Sequence, residues 1–237
     1  MSGKDVADSR KKLFLFDIDG TLLLTGRAGE HALRSGFKER FGVDDDLSSI
    51  SFAGSTDSAI VRQMFAAHGI PETPGNIADL LDGYVHHLAL ELPRREGRVL
   101  PGIVALLEAL HAREDCVLGL LTGNIEKGAE LKLTHYGVWD FFEFGAYADD
   151  HMDRNKLGPV AHARAVEKHG ISFDARDVFV IGDTPRDIDC ARAAGFVAVA
   201  IATGNYSREE LAAHRPDFLF GNLADTAAVL AALIGGK

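Results

Sequence analysis

Asp17 and Asp19 close the apolar run Leu13-Phe14-Leu15-Phe16 and are followed at once by Gly20 and Thr21. Two carboxylates one residue apart at the rim of a core repel each other and resist losing water, so folding alone would not place them there. A divalent cation offsets that cost, and hard carboxylate oxygens suit Mg²⁺. Asp17 can then act as nucleophile and metal ligand together. A turn directly after the strand lets Asp19 swing toward a substrate, and Gly20 lets the backbone turn and approach an anion closely.

Two more apolar runs end in the same manner. Cys116–Leu121 stops at Thr122-Gly123-Asn124, and Asp177–Gly182 stops at Asp183-Thr184-Pro185-Arg186-Asp187. Together the three endings supply the parts of phosphoryl transfer. Asp17 attacks phosphorus, while Asp183 and Asp187 complete a hard oxygen site for Mg²⁺. Thr122 offers a hydroxyl to a phosphate oxygen, and Gly123 permits close approach of a backbone N–H. Arg154 or Lys156, in the polar loop 149–156, would neutralise charge on the group in transfer. Asp19 would protonate the leaving oxygen and then take a proton from water. A free aspartate titrates near 3.9, so the acid role needs an upward shift, which a neighbouring carboxylate favours.

Such residues must be delivered to one place. Short, bulky apolar runs read as buried parallel strands, and strands alternating with helices argue for a parallel sheet covered on both faces. Ligands in such sheets sit outside the carboxyl ends of the strands, where all three endings emerge. Strands are expected at Leu13–Phe16, Cys116–Leu121, within Phe141–Tyr147, and at Asp177–Gly182, Val197–Ile201 and Phe218–Phe220. Between the first two, helices are expected near Glu30–Phe41, Ser58–His68 and Ile77–Leu92, with no strand signal among them. The fold class is therefore α/β: a Rossmann-like parallel-sheet core (residues 11–26 and 99–237) with helices on both faces, plus a small all-helical cap (residues 27–98) inserted after the first strand. Arg27 and Gly54-Ser55-Thr56-Asp57 are the cap residues that could reach over the site, with Thr56 the candidate substrate contact; Ser55, Thr56 or Asp57 could instead cap the helix that follows.

These residues resemble the haloacid dehalogenase superfamily. Asp17-Ile18-Asp19-Gly20-Thr21 is similar to its DxDGT motif, Leu121-Thr122-Gly123-Asn124 to its second motif, and Gly182-Asp183-Thr184-Pro185-Arg186-Asp187 to its GDxxxD motif. The phosphoglycolate-phosphatase-like hydrolases are the subgroup most alike. The resemblance implies Asp17 as nucleophile and Mg²⁺ ligand, and Asp19 as acid/base that also gives a main-chain carbonyl to the metal. It implies Thr122 as phosphate binder with Gly20, Gly123 and Asn124 about the substrate, Asp183 as metal ligand, and Asp187 as support for the metal waters or the cation. The family's Lys-Pro-x-Pro is replaced here by Arg154-Asn155-Lys156-Leu157-Gly158-Pro159; counting back from Ala165 favours Lys156, while the planar fork of Arg154 suits phosphate equally well. The resemblance also implies that family dehalogenases lack an acid at the Asp19 position, so a phosphatase is preferred. A sugar phosphomutase, or a binding protein on the same scaffold, is the alternative.

Composition agrees with a large core: 237 residues, 46% hydrophobic and 25% charged. The formal net charge of −10 argues against nucleic acid as a partner. Residues 1–10 are polar, expected to fray, and lack the apolar stretch of a signal peptide. No run is long enough to span a bilayer. Cys116 and Cys190 have no metal spacing and read as reduced thiols. The expected protein is a cytoplasmic Mg²⁺-dependent hydrolase, monomer or homodimer, acting on a phosphoglycolate-like, sugar or nucleotide monophosphate through an aspartyl-phosphate.

Overall fold

The strand β1 (Lys12–Phe16) is fully buried from Leu13 onward and forms the axis of the sheet. The computed structural model describes residues 11–235; the expectation for residues 1–10 lies outside the described residues. β1 pairs in parallel with β4 (Cys116–Leu121) on one side and with β6 (Val178–Gly182) on the other. β5 (Gly145–Ala146) extends the β4 side, and β7 (Val197–Ile201) and β8 (Phe218–Phe220) extend the β6 side. All pairings in this six-stranded sheet, ordered β5-β4-β1-β6-β7-β8, are parallel. The chain reverses its direction of travel across the sheet at β1, and a crevice for a ligand forms at such a switch point.

Period-two alternation sorts the strand residues into two cores. Phe14, Phe16, Leu118, Leu120, Phe179 and Ile181 meet α4 (Ile103–His111), α5 (Glu126–His135) and α9 (Thr226–Leu233). Leu13, Leu15, Val117, Leu121, Val178 and Val180 meet α6 (Leu157–His169), α7 (Pro185–Ala194) and α8 (Arg208–Ala213). A strand buried on both faces needs apolar residues at every position, which is why these runs read as continuous.

Between β1 and β4 lie α1 (Ala28–Phe41), α2 (Asp57–His68) and α3 (Pro74–Glu91), with a core of their own around Phe37, Met64, Phe65, Leu80 and Leu88. α1 and α3 cross closely: a Cβ on Gly36 would sit 3.0 Å from the backbone of Gly83. Thr56 and Thr73 cap α2 and α3 through their side chains, and Pro74 opens α3. The helical stretch is flanked by β2 (Leu23–Leu24) and β3 (Arg98–Val99), which pair antiparallel. Two-residue strands carry no periodicity, so this ribbon is invisible in the sequence pattern; the six-residue α8 was equally unexpected. Among the described residues, no helix is long and apolar enough to cross a membrane.

The Phe14 ring stacks on Phe179 with centroids 4.9 Å apart, both on the α4/α5/α9 side. Phe14→Ala is expected to lower unfolding free energy by about 3–5 kcal/mol. Urea titration should show a lower midpoint with an unchanged slope.

Candidate functional site

Three strand ends converge. Asp17 continues the sheet by donating its N–H to Ile181 O at 2.9 Å, and the chain then turns back, with Leu22 N–H bonded to Ile18 O. Asp183 follows β6 directly, and Asp187 lies one turn into α7. Carboxylate oxygens of Asp17, Asp183 and Asp187 lie within 4.8 Å of one another, and all three side chains are buried. Burial pushes the Asp17 carboxyl up to about 6; Arg154 opposes the shift, while Asp187 and Asp19 add to it. Burial likewise drives Asp183 well above the ordinary range, with Asp187 and Asp17 adding.

The local backbone is shaped to bring Asp183 in. Gly20 has φ +83°, and a Cβ there would fall 2.3 Å from the Asp183 carboxylate. Thr21 Oγ1 donates to Asp183 Oδ1 at 3.1 Å. Asp187 is held differently: its Oδ2 accepts from the Thr184 N–H at 3.0 Å and hydroxyl at 2.8 Å, closing a capping box on α7. Its Oδ1 accepts from Arg154.

Arg154 is the cation of this cluster. It is 6% exposed and its Nη2 lies 3.1 Å from Asp17 Oδ1 while also bonding Asp187. Burial would depress the guanidinium, but Asp17 and Asp187 more than offset that and hold it above its usual range. Lys156, which counting along the helix favoured, is exposed and does not border the cavity. The reason is a 3-10 turn over Arg154–Lys156, which sends the two side chains to different sides.

Asp19 points elsewhere. Its Oδ2 accepts from Lys132 Nζ at 2.6 Å and from Asn124 Nδ2 at 2.9 Å. Asn124 Nδ2 also donates to Thr122 Oγ1 at 2.8 Å, and Asn124 Oδ1 accepts from Lys132 at 2.6 Å. Asn124 borders the cavity; Thr122 is fully buried and does not. Lys132 was not anticipated. It sits mid-helix in α5 on the face that carries buried Gly128, Ala129 and Leu133. A lysine in step with an apolar stripe was the available signal.

The loop before α2 is tied to the sheet core. Asp57 N–H donates to Gly123 O at 2.7 Å, and Asp57 Oδ2 accepts from Ile125 N–H at 2.8 Å. Burial pushes the Asp57 carboxyl up to about 6, against the pull of Lys132. Thr56 does not face the cavity that holds Asp17: it accepts from Ala59 N–H and donates to Met152 O at 2.7 Å. It is a helix cap and a tether rather than the substrate contact expected. Gly123 borders the cavity, yet its lack of a side chain serves the loop first, since a Cβ would fall 2.2 Å from Ser55 O.

The cavity measures about 420 Å³ and is bordered by Asp17, Asp19, Asp183, Arg154 and Lys132 from the core and by Arg27, Asp57 and Tyr84 from the helical stretch. All-oxygen donors, crowded carboxylates and raised proton affinity fit a hard divalent cation. Asp17 and Asp183 are the fitting ligands; Asp187 is already committed to Arg154 and the capping box. With such an ion bound, an ester phosphate beside Asp17 would meet positive charge on two sides.

The chain matches a family described as haloacid dehalogenase-like hydrolase over residues 14–201. It is 28% identical over 218 residues to the phosphoglycolate phosphatase of Synechococcus elongatus, covering 89% of this chain and 93% of that one. To the phosphoglycolate phosphatase of Rhodospirillum rubrum it is 29% identical over 215 residues, covering 85% and 83% respectively. The crystal structure of a hydrolase from Pseudomonas syringae shares the fold, with a TM-score of 0.72 at 20% identity over 94% of this chain and 99% of that one.

The raised carboxyls set a sign for stability. Asp17 holds its proton more tightly folded, at about 6, than unfolded, at the ordinary 3.8. The metal-free protein therefore loses stability as pH rises through that window. Scanning calorimetry in chelator should show a lower melting temperature near pH 7.5 than near pH 5. Asp183→Asn should raise the metal-free melting temperature near pH 7.5, at about 2–4 °C per kcal/mol, and remove any gain on adding Mg²⁺.

Proposed function

The chain belongs to the haloacid dehalogenase-like hydrolase family, and from that premise we propose that it is a Mg²⁺-dependent phosphatase of a small phosphorylated metabolite, working through a phosphorylated Asp17. The observation that carries this reading is the placement of Asp17: it borders the cavity, with the Arg154 guanidinium 3.1 Å away and Asp183 within ligand-sharing distance. No group in a merely structural turn needs both.

In the first step an Asp17 carboxylate oxygen forms a bond to phosphorus as the ester P–O bond breaks. The leaving oxygen takes a proton from Asp19, which also borders the cavity. In the second step Asp19 takes a proton from water, the water oxygen attacks phosphorus, and the bond to Asp17 breaks. Inorganic phosphate leaves and Asp17 regains its charge. Arg154 stands where it would balance charge spread over the equatorial phosphoryl oxygens. Mg²⁺, held by Asp17, Asp183 and the Asp19 carbonyl, would add charge compensation on the same oxygens.

The relatives' names favour a compact substrate such as phosphoglycolate, and the cavity volume of about 420 Å³ admits a small sugar phosphate as well. A panel of phosphate esters assayed with Mg²⁺ tests both activity and substrate. Turnover should require the metal, and Asp17→Asn should reduce it by roughly 10³-fold or more while the melting temperature persists. Unchanged turnover in Asp17→Asn would reject the nucleophile; transfer dependent on a bisphosphate activator, with little phosphate released, would point to a mutase instead.

A further inference from the structure

Lys132 is 4% exposed, and α5 threads it through the core to the cavity wall. Burying an ammonium is unfavourable, and an apolar residue would pack there at less cost. The partner does not explain the choice by itself: the Asp19 side chain is 43% exposed and could be solvated without help. What the ammonium does is geometric. It has only donors. By donating to Asn124 Oδ1 at 2.6 Å it fixes which way the Asn124 amide faces. Asn124 Nδ2 is thereby directed at Asp19 and at Thr122 Oγ1. The same ammonium bonds Asp19 Oδ2 directly at 2.6 Å. Two donors from two elements thus grip one carboxylate oxygen, and the amide between them also binds the Thr122 hydroxyl.

We propose that Lys132 is the positioning residue for the acid/base Asp19, holding its carboxylate on the leaving-group side of the cavity by this double contact. The assignment rests on the phosphatase reading and deepens it. Asp19 must stay apart from the Asp17, Asp183 and Asp187 group to reach a leaving oxygen, and Lys132 and Asn124 hold it there. Without the ammonium, Asn124 Oδ1 loses its donor and Asp19 loses one of its two donors.

A positioned acid matters in proportion to how badly the leaving group needs a proton. Single-turnover release of alcohol or phenol should therefore be measured over a series from p-nitrophenyl through phenyl to alkyl phosphates, for the wild type, Lys132→Met, Lys132→Gln and Asp19→Asn. In Lys132→Met the loss should grow along the series, reaching roughly 10- to 100-fold for alkyl esters. Lys132→Gln keeps an N–H donor and should lose less; it is read in the same way if the Met variant does not fold. In an Asp19→Asn background, Lys132→Met should add almost nothing. An equal loss for every ester would mean that Lys132 only supports the fold, and full additivity with Asp19→Asn would mean that it acts elsewhere; either overturns the assignment. Wild-type protein inert toward every ester would instead sink the phosphatase reading, and this assignment with it.

Discussion

Three buried carboxylates facing one another are the constraint around which this molecule is arranged. Asp17, Asp183 and Asp187 share a space of a few ångströms with one guanidinium. One positive charge does not balance three negative ones out of water; burial, with the neighbouring carboxylates adding, raises the proton affinities of Asp17 and Asp183. A fold selected for stability alone would replace the group with apolar residues. The same excess of negative charge suits the site to the cation that the proposed function calls for.

The sheet makes this concentration of charge possible. β1 lies between β4 and β6, and the chain leaves each of the three at the same edge. Their apolar residues are committed to the two cores, so the first polar residue after each strand is held by everything before it. Asp17, Thr122 and Asp183 owe their positions to strand registry rather than to loop conformation. Gly20 completes the approach, because no residue with a side chain could occupy that backbone position against Asp183.

That logic explains what could be read from the chain. Strand ends are legible because burial on both faces demands a continuous apolar run and its interruption is abrupt; Asp17, Asp19 and Asp183 stood out for that reason. Helical positions are less legible, because a helix repeats at 3.6 residues and one polar member of an apolar stripe attracts little notice. Lys132 was missed on those grounds. The choice between Arg154 and Lys156 turned on a single 3-10 turn, which no periodicity marks. Ser55, Thr56 and Asp57 all carried a cap signal, and the cap proved to be Thr56; that Asp57 would reach across to Ile125 depends on a contact 68 residues away in the chain.

The two buried cations show why their types differ. Arg154 answers two carboxylates from separate elements: its Nη2 lies 3.1 Å from Asp17 Oδ1 and also bonds Asp187 Oδ1, which leaves other N–H groups of the guanidinium outside that contact. Lys132 has the opposite task. It reaches along a helix face to one carboxylate oxygen and one amide oxygen, and a compact ammonium fits between Asp19 and Asn124 where a guanidinium would force them apart. Charge is thus supplied twice in different shapes: a guanidinium beside Asp17 and an ammonium beside Asp19. On the phosphatase reading proposed above, those two shapes would divide the cavity into a phosphoryl side and a leaving-group side.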